Sequence, residues 1–572
     1  MVDVAAHEAV FAELRENLAA FLRADTLNPA ASAPGEDDGA FLHPEAAPRP
    51  GPACVVGVID DAIPLALERL AVRGSDGALR SRIASAWMMG APAGPGEVRF
   101  GREWRGTAID ALLNGRRVPG AGIDEEAVYR AAGLWRAARG PLHAGGRRAA
   151  HGAAVADLAA GADPDDRAAR QRPIVAACLP PEVTRDTSGT FAAWFVLLGT
   201  LHVLDRARRL AAALGRPPLP VVVNLSYGVT AGAKDGSGLV EGFQRLVAER
   251  GVAGVGPVRF VLPMGNHRQG RLRARLTDGA TLRWQVPPDD ATPSFVELRG
   301  PPLGAPPDPM TFALAPPGAT PFETRLPHGT ASELTLGGTH AARAYSGLAR
   351  TPDGRFREVL TIALPPTDEA AGPGGRPGAW SLTVRGAGPF DALVQRDDAV
   401  PGFGGGARQV RLVDDVWRSV DERGRAIHFD GPEDGPVLRE GTVNAWATAG
   451  APWQLAASAA YPARGEGPPW AGAGPGAGAA SPGDLAPYSA LPAGVRAADH
   501  LALAEGARAV ADLSPCTRGV PASGAFAGAR LRVSGTSVAA PQVARALADA
   551  LARGESPTAP ICPPAPSERP AY

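Results

Sequence analysis

The chain has 572 residues, 45% of them hydrophobic, and 58 basic against 59 acidic side chains leave a net charge of −1. That length suffices for two to four domains with real cores. The charge balance excludes the electrostatic footprint of a nucleic-acid binder or of a protein held on an anionic membrane, so partners have to be inferred from local sites.

Lys234 is the sole lysine, and nearly all positive charge is Arg. With 71 Gly and 58 Pro, this is a compositional bias that carries no functional reading. The four cysteines, Cys54, Cys178, Cys516 and Cys562, are too scattered for a zinc site or a disulfide framework and read as buried small hydrophobes. The first stretch, "MVDVAAHEAVFAELRENLAAFLRADTLNPA", lacks a basic segment followed by an apolar core. Its apolar residues recur at helical spacing, which predicts an amphipathic helix and linker over 1–48, not a signal peptide. The most apolar stretch, Phe191 to Asp205, is too short to span a bilayer and runs into charges. The expectation is a soluble, cytoplasmic protein with no membrane or nucleic-acid partner; an unconventional export route and the oligomeric state are left open.

Four nearly continuous β-branched runs predict buried parallel strands: "CVVGVID" (Cys54 to Asp60), "PIVAACLP" (Pro173 to Pro180), "PVVVNLSYG" (Pro220 to Gly228) and "VRFVLPMGN" (Val258 to Asn266). Helical segments lie between them, at Thr190 to Leu214 and Gly238 to Arg250, and "FGREWRGTAIDALLNGRR" predicts one more. This alternation predicts a doubly wound, mostly parallel α/β sheet, whose ligands sit at the carboxyl ends of the strands. From about Arg271 to Arg423 the pattern changes to short alternating segments separated by Pro/Gly/Asp turns. That predicts an inserted antiparallel β-sandwich or jelly-roll-like domain. The main sheet is expected to resume at "GTVNAWATAG", Gly441 to Gly450. "GEGPPWAGAGPGAGAASPGD" reads as a flexible loop, and 557–572 as a Pro-rich disordered tail. The expected boundaries are 1–48, 49–270, 271–430, 431–556 and 557–572. A helix from about Ser537 to Arg553 closes the folded part, with Pro541 expected in its first turn.

Four polar clusters fall on this scaffold. Asp60 ends an apolar strand, where it can orient a histidine or simply close the strand with an Asx turn. His151 opens an Ala-rich helix, either as a base compensated by a carboxylate or as an exposed cap, and no zinc partner stands at i+4. Asn266 follows Gly265 and can donate to a developing negative charge or serve as a turn residue. Ser537 stands at a helix mouth rich in hydroxyls, as a nucleophile or as one of several redundant caps. The chain order Asp, His, amide, Ser matches one of the known arrangements of a Ser-His-Asp triad.

On these residues the chain resembles the subtilisin-like serine peptidases. "VIDDAI" resembles the Asp motif of that family, "HGAAVADLAAG" the His motif, "SGTSVAAP" the Ser motif, "NLSYG" the strand that pairs with substrate, and "MGN" the oxyanion segment. The resemblance covers about 50–270 and 435–555. It implies a serine endopeptidase acting on peptide or protein substrates. Ser537 is then the nucleophile, His151 the general base, and Asp60 the residue that holds the imidazole. The oxyanion hole comes from the Asn266 side chain and the Ser537 N–H. Ser226, Tyr227 and Gly228 line the edge that receives an extended peptide, and Met264 and Gly265 wall an apolar pocket. Asp61 and Ala62 depart from the motif's Ser/Thr and Gly, Ala154 from its second His and Asp157 from its Gly. No cofactor is expected; calcium is implied by resemblance only, and "GADPDD" reads as a charged loop. The alternative is a catalytically silent scaffold that binds protein or carbohydrate through the insert.

Overall fold

In the computed structural model, residues 40–556 are described, except 95–97, 99, 121, 136–149, 186–188, 190–191, 369–374, 398–405, 425, 449, 461–484, 495–499, 504–518 and 527. The predicted N-terminal helix, the Gly-rich loop, the C-terminal tail, Cys516 and Cys562 lie outside the described residues.

An eight-stranded sheet forms the centre of the molecule. Its strands are β1 (Val55–Asp60), β2 (Ile83–Met88), β3 (Arg102–Arg105), β4 (Ile174–Cys178), β5 (Val221–Leu225), β6 (Val258–Pro263), β7 (Gln454–Ala460) and β8 (His500–Leu503). They lie in the order β8-β7-β6-β5-β1-β4-β2-β3, and every neighbouring pair is parallel except β2 with β3. All six residues of β1 are buried, as are all five of β4 and of β5, which is why these runs are apolar without alternation.

Helices cover both faces. Val56 and Val58 of β1 pack with α1 (His151–Ala160) and with the C-terminal helix, Thr536–Ala552. Val55 and Ile59, pointing the other way, pack with α2 (Ala192–Ala213) and α3 (Leu239–Arg250). The C-terminal helix is α4 in chain order. The helix expected from "FGREWRGTAIDALLNGRR" is present at Gly106–Asn114. Cys54 and Cys178 are buried free thiols, as read from the sequence. Burial pushes the Cys54 thiol up to about 12 and raises that of Cys178 as well, so both behave as apolar side chains.

Between β6 and β7 lie two antiparallel sheets. One has seven strands, from Arg273–Leu276 to Val437–Leu438, and the other five, including Thr281–Val286 and Gly378–Arg385. Their inner faces share one apolar core that includes Trp284, Leu298, Phe312, Ile362, Trp380 and Phe390. The strict in–out alternation of Thr281–Val286 follows from having one face on that core. The seven-stranded sheet takes its last strand from beyond residue 430, because Val437 pairs with Ala274.

Two sequence expectations are corrected. The described residues of Gly441 to Gly450 form no strand; the main sheet resumes at β7, and Asn444 of this segment lines the cleft described below. Pro541 is the sixth residue of α4, beyond the first turn, so its missing N–H does remove an intrahelical bond. Among the described residues no helix is long and apolar enough to cross a membrane.

Candidate active site

The carboxyl ends of β1, β5 and β6, the first turns of α1 and α4, and the 441–450 segment converge on one cleft. Asp60, His151, Asn266 and Ser537 all line it, together with Ser226, Tyr227, Gly228, Pro263, Gly265 and Asn444.

Asp60 is the last residue of β1 and is 5% exposed. Its Oδ1 lies 2.8 Å from His151 Nδ1 and also accepts from the Asp61 N–H at 2.8 Å. His151 is the first residue of α1. Burial by itself would push its imidazole down. The charge and hydrogen bond of Asp60, reinforced by Asp61, outweigh burial and a smaller opposing field from Arg396, and lift the pKa to about 9.

Asp61, also buried, lies beside the same pair. Its Oδ1 accepts the Gly152 N–H at 2.7 Å, so it caps α1 from another segment and satisfies a backbone donor that Ala150 has no side chain to reach. Burial, and secondarily the charge of Asp60, push Asp61 up to about 6. The second carboxylate oxygen of Asp60, buried, has no hydrogen-bond partner. Packing here is tight: a Cβ on Gly152 would lie 1.5 Å from the Asp61 carbonyl oxygen. Ala62, next in the chain, carries φ +36°.

The opposite wall is neutral. Thr536 is fully buried and is the first residue of α4; its N–H and hydroxyl both donate to Asn266 Oδ1 at 2.8 Å. The Thr536 hydroxyl also accepts from the Gly265 N–H at 3.1 Å. With Oδ1 committed, the amide nitrogen is the end of Asn266 left for a ligand. The N-cap of α4 is Gly535, which has no side chain to cap with, and the Thr536 hydroxyl is engaged by Asn266 and Gly265. Pro541 cannot donate to the carbonyl of Ser537 four residues earlier. Ser226 does so instead, its hydroxyl reaching Ser537 O at 3.1 Å while accepting from Asn224 Nδ2 at 3.1 Å. Ser226 therefore anchors the turn that presents Ser537.

Asn444 is the main site residue the sequence reading missed. Its Nδ2 donates to Tyr227 O at 3.2 Å and to Pro263 O at 3.0 Å, and its Oδ1 accepts from Val229 N at 3.3 Å and Trp446 N at 3.1 Å. One side chain thus ties the ends of β5 and β6 together. A Cβ on Gly228 would lie 2.2 to 2.4 Å from its amide atoms, so glycine at 228 is required by close approach. Tyr227 packs on Trp446 of the same segment, ring centroids 5.8 Å apart. Met264 is corrected: its side chain is buried with Val443, Ala447, Ala456 and Ala490 and does not line the cleft, where Pro263 stands beside Gly265. The expected apolar pocket accordingly has a polar amide in its wall.

Asp157 is fully buried and distant in role. It accepts from Arg69 Nε at 2.5 Å and from Ser523 N and Oγ at 2.9 and 2.8 Å, pinning α1 to the strand Val520–Ser523. In "GADPDD", Asp163 and Asp166 cap local turns and Asp165 pairs with Arg73. Among the described residues, the one group of potential metal ligands is Asp60, Asp61 and His151, whose donor atoms lie within 4.8 Å of one another. The Oδ1 atoms of both carboxylates are already taken by N–H groups.

No protein-family model and no curated protein sequence matches the chain. Among solved structures, the fold is similar to that of the CspB protease of Clostridium perfringens, with a TM-score of 0.53 at 15% identity, over 86% of this chain and 82% of that one. What the two share is the fold.

Proposed function

We propose that the chain is a subtilisin-like serine endopeptidase. The observation that carries this reading is the 2.8 Å contact of His151 Nδ1 with the buried carboxylate of Asp60, in the cleft that Ser537 and the oriented Asn266 amide also line. In the proposed mechanism, His151 Nε2 takes the Ser537 hydroxyl proton as Oγ attacks the scissile carbonyl. Asp60 holds the Nδ1–H and stabilises the imidazolium. The Asn266 amide and the Ser537 N–H receive the oxyanion, and His151 then protonates the leaving amine. Water, activated by the same imidazole, releases the acyl group from Ser537.

In this reading 49–270 and 431–556 form one catalytic domain, with the β-sandwich between them as an inserted domain. The pairing of Val437 with Ala274 favours placing the second boundary after residue 438. Ser226, Tyr227 and Gly228 form the edge along which an extended peptide adds as a strand.

Labelling with a fluorophosphonate probe tests the proposal. Covalent labelling that maps to Ser537 and is lost in Ser537→Ala is expected. Absence of labelling of the folded protein, or labelling that survives Ser537→Ala, would sink it. A peptide-library digest separates it from the silent-scaffold alternative, which predicts no cleavage by the unmodified protein.

A further inference from the structure

The two antiparallel sheets are not remote from the cleft. The strand Phe390–Val394 runs directly into it: Val394 O accepts the Thr230 hydroxyl at 2.8 Å. Gln395 Oε1 accepts Thr230 N at 3.1 Å, Ala231 N at 3.2 Å and Arg396 N at 3.0 Å. The Gln395 backbone is fixed in turn, its N–H on Phe295 O and its carbonyl on Gln409 Nε2, both at 3.0 Å. Thr230 follows two residues after Gly228, so this anchorage sets the backbone of Arg396 against the end of the proposed substrate edge. The half-buried Arg396 lines the cleft and is the single Arg or Lys among its described lining residues.

We propose that Arg396 is a specificity-determining residue, which selects peptides with a glutamate or aspartate side chain close to the scissile bond. This inference rests on the peptidase reading of the same cleft. Two physical points support it. Arg396 lines the same cleft as Asp60, His151 and Ser537, and its charge opposes the protonated form of His151. A guanidinium presents a planar fork of donors matched to a carboxylate, and partial burial strengthens such a pair against salt.

The test uses two peptides that differ only in Glu against Gln at each position flanking the cleaved bond. Their affinities for the full-length Ser537→Ala protein are measured by fluorescence anisotropy, and kcat/KM is measured with the unmodified protein. Glu peptides are expected to bind about tenfold more tightly than Gln peptides at one of these positions. Arg396→Gln removes the difference, Arg396→Lys keeps its sign, and Arg396→Glu reverses it toward Lys peptides. Equal affinities with Arg396 in place, no binding of either peptide, or a preference that survives Arg396→Gln would each overturn the inference. The Glu/Gln ratio of the unmodified sequence decides the matter even where a variant fails to fold. A Glu preference in binding without cleavage by the unmodified protein would instead overturn the peptidase reading and leave Arg396 as a carboxylate reader.

Discussion

The two walls of the cleft are built on opposite principles. The wall formed by Asp60, Asp61 and His151 is charged: a 5%-exposed Asp60 and a 6%-exposed Asp61 lie beside one imidazole, burial and then the charge of Asp60 raise the Asp61 carboxyl, and the two carboxylates raise His151. The wall formed by Asn266, Thr536, Ser226 and Asn444 is neutral and held by a network of hydrogen bonds. In the proposed mechanism the charged wall supplies proton transfer, which requires groups whose charge can change, and the neutral wall supplies fixed dipoles, which are most effective when they cannot reorganise. Substitutions in the first should therefore alter pH dependence, and those in the second should alter rate or stability without moving it.

The largest effects belong to the reacting groups. Ser537→Ala and His151→Ala should each lower kcat by roughly three to six orders of magnitude, and Asp60→Asn by about four, in single-turnover assays on peptide substrates. Equal residual rates for Ser537→Ala and the Ser537→Ala/His151→Ala double variant are expected, because the two residues act as a unit. On the neutral wall, Asn266→Ala should cost about two to three orders of magnitude in kcat with little change in KM or in the pH profile. Ser226→Ala leaves both the Ser537 carbonyl and the Asn224 amide unsatisfied in a buried place. It should lower unfolding stability by about 1–3 kcal/mol in chemical denaturation.

Asp61→Asn separates the two walls most directly. In the proposed mechanism the neutral imidazole is the base, so activity should be lost as pH falls through the His151 pKa, and the carboxylate of Asp61 raises that pKa. Removing its charge moves the acidic limb of kcat/KM to lower pH. The amide oxygen of Asn can still accept from Gly152 N–H and keep α1 capped. An acidic limb that stays in place would show that Asp61 does not act on His151.

What could be read from the sequence follows from range. Asp60, Asn266 and Ser537 were legible because each is a polar break at the end of an apolar or helical run, a signal contained within a few residues. Asn444 was not, because its four partners come from Tyr227, Val229, Pro263 and Trp446. Nothing in "GTVNAWATAG" distinguishes a brace between two strand ends from a strand. The bond from Ser226 to the carbonyl that Pro541 leaves free spans 311 residues, and that from Gly265 to Thr536 spans 271. Arg396 carried no local mark in "ALVQRDD", since its place in the cleft depends on how Gln395 grips Thr230 and Ala231. The alternating strands of 273–438 were legible because sidedness is itself a two-residue pattern.

The smallest expected effect tests whether the charged wall also holds backbone strain. Ala62 sits at φ +36° while 6% exposed, immediately after the two carboxylates, in a region that costs a Cβ-bearing residue about 1–2 kcal/mol. Glycine relieves that cost but gives the unfolded chain more freedom, which returns part of the gain. Ala62→Gly should therefore stabilise the fold by up to about 1 kcal/mol, read as a higher denaturation midpoint at unchanged slope. If strain at Ala62 only reflects the turn out of β1, kcat and its pH profile stay as they are. If it also sets the direction of the Asp60 carboxylate toward His151, the stabilised variant loses activity, and the acidic limb shifts to lower pH as it does for Asp61→Asn.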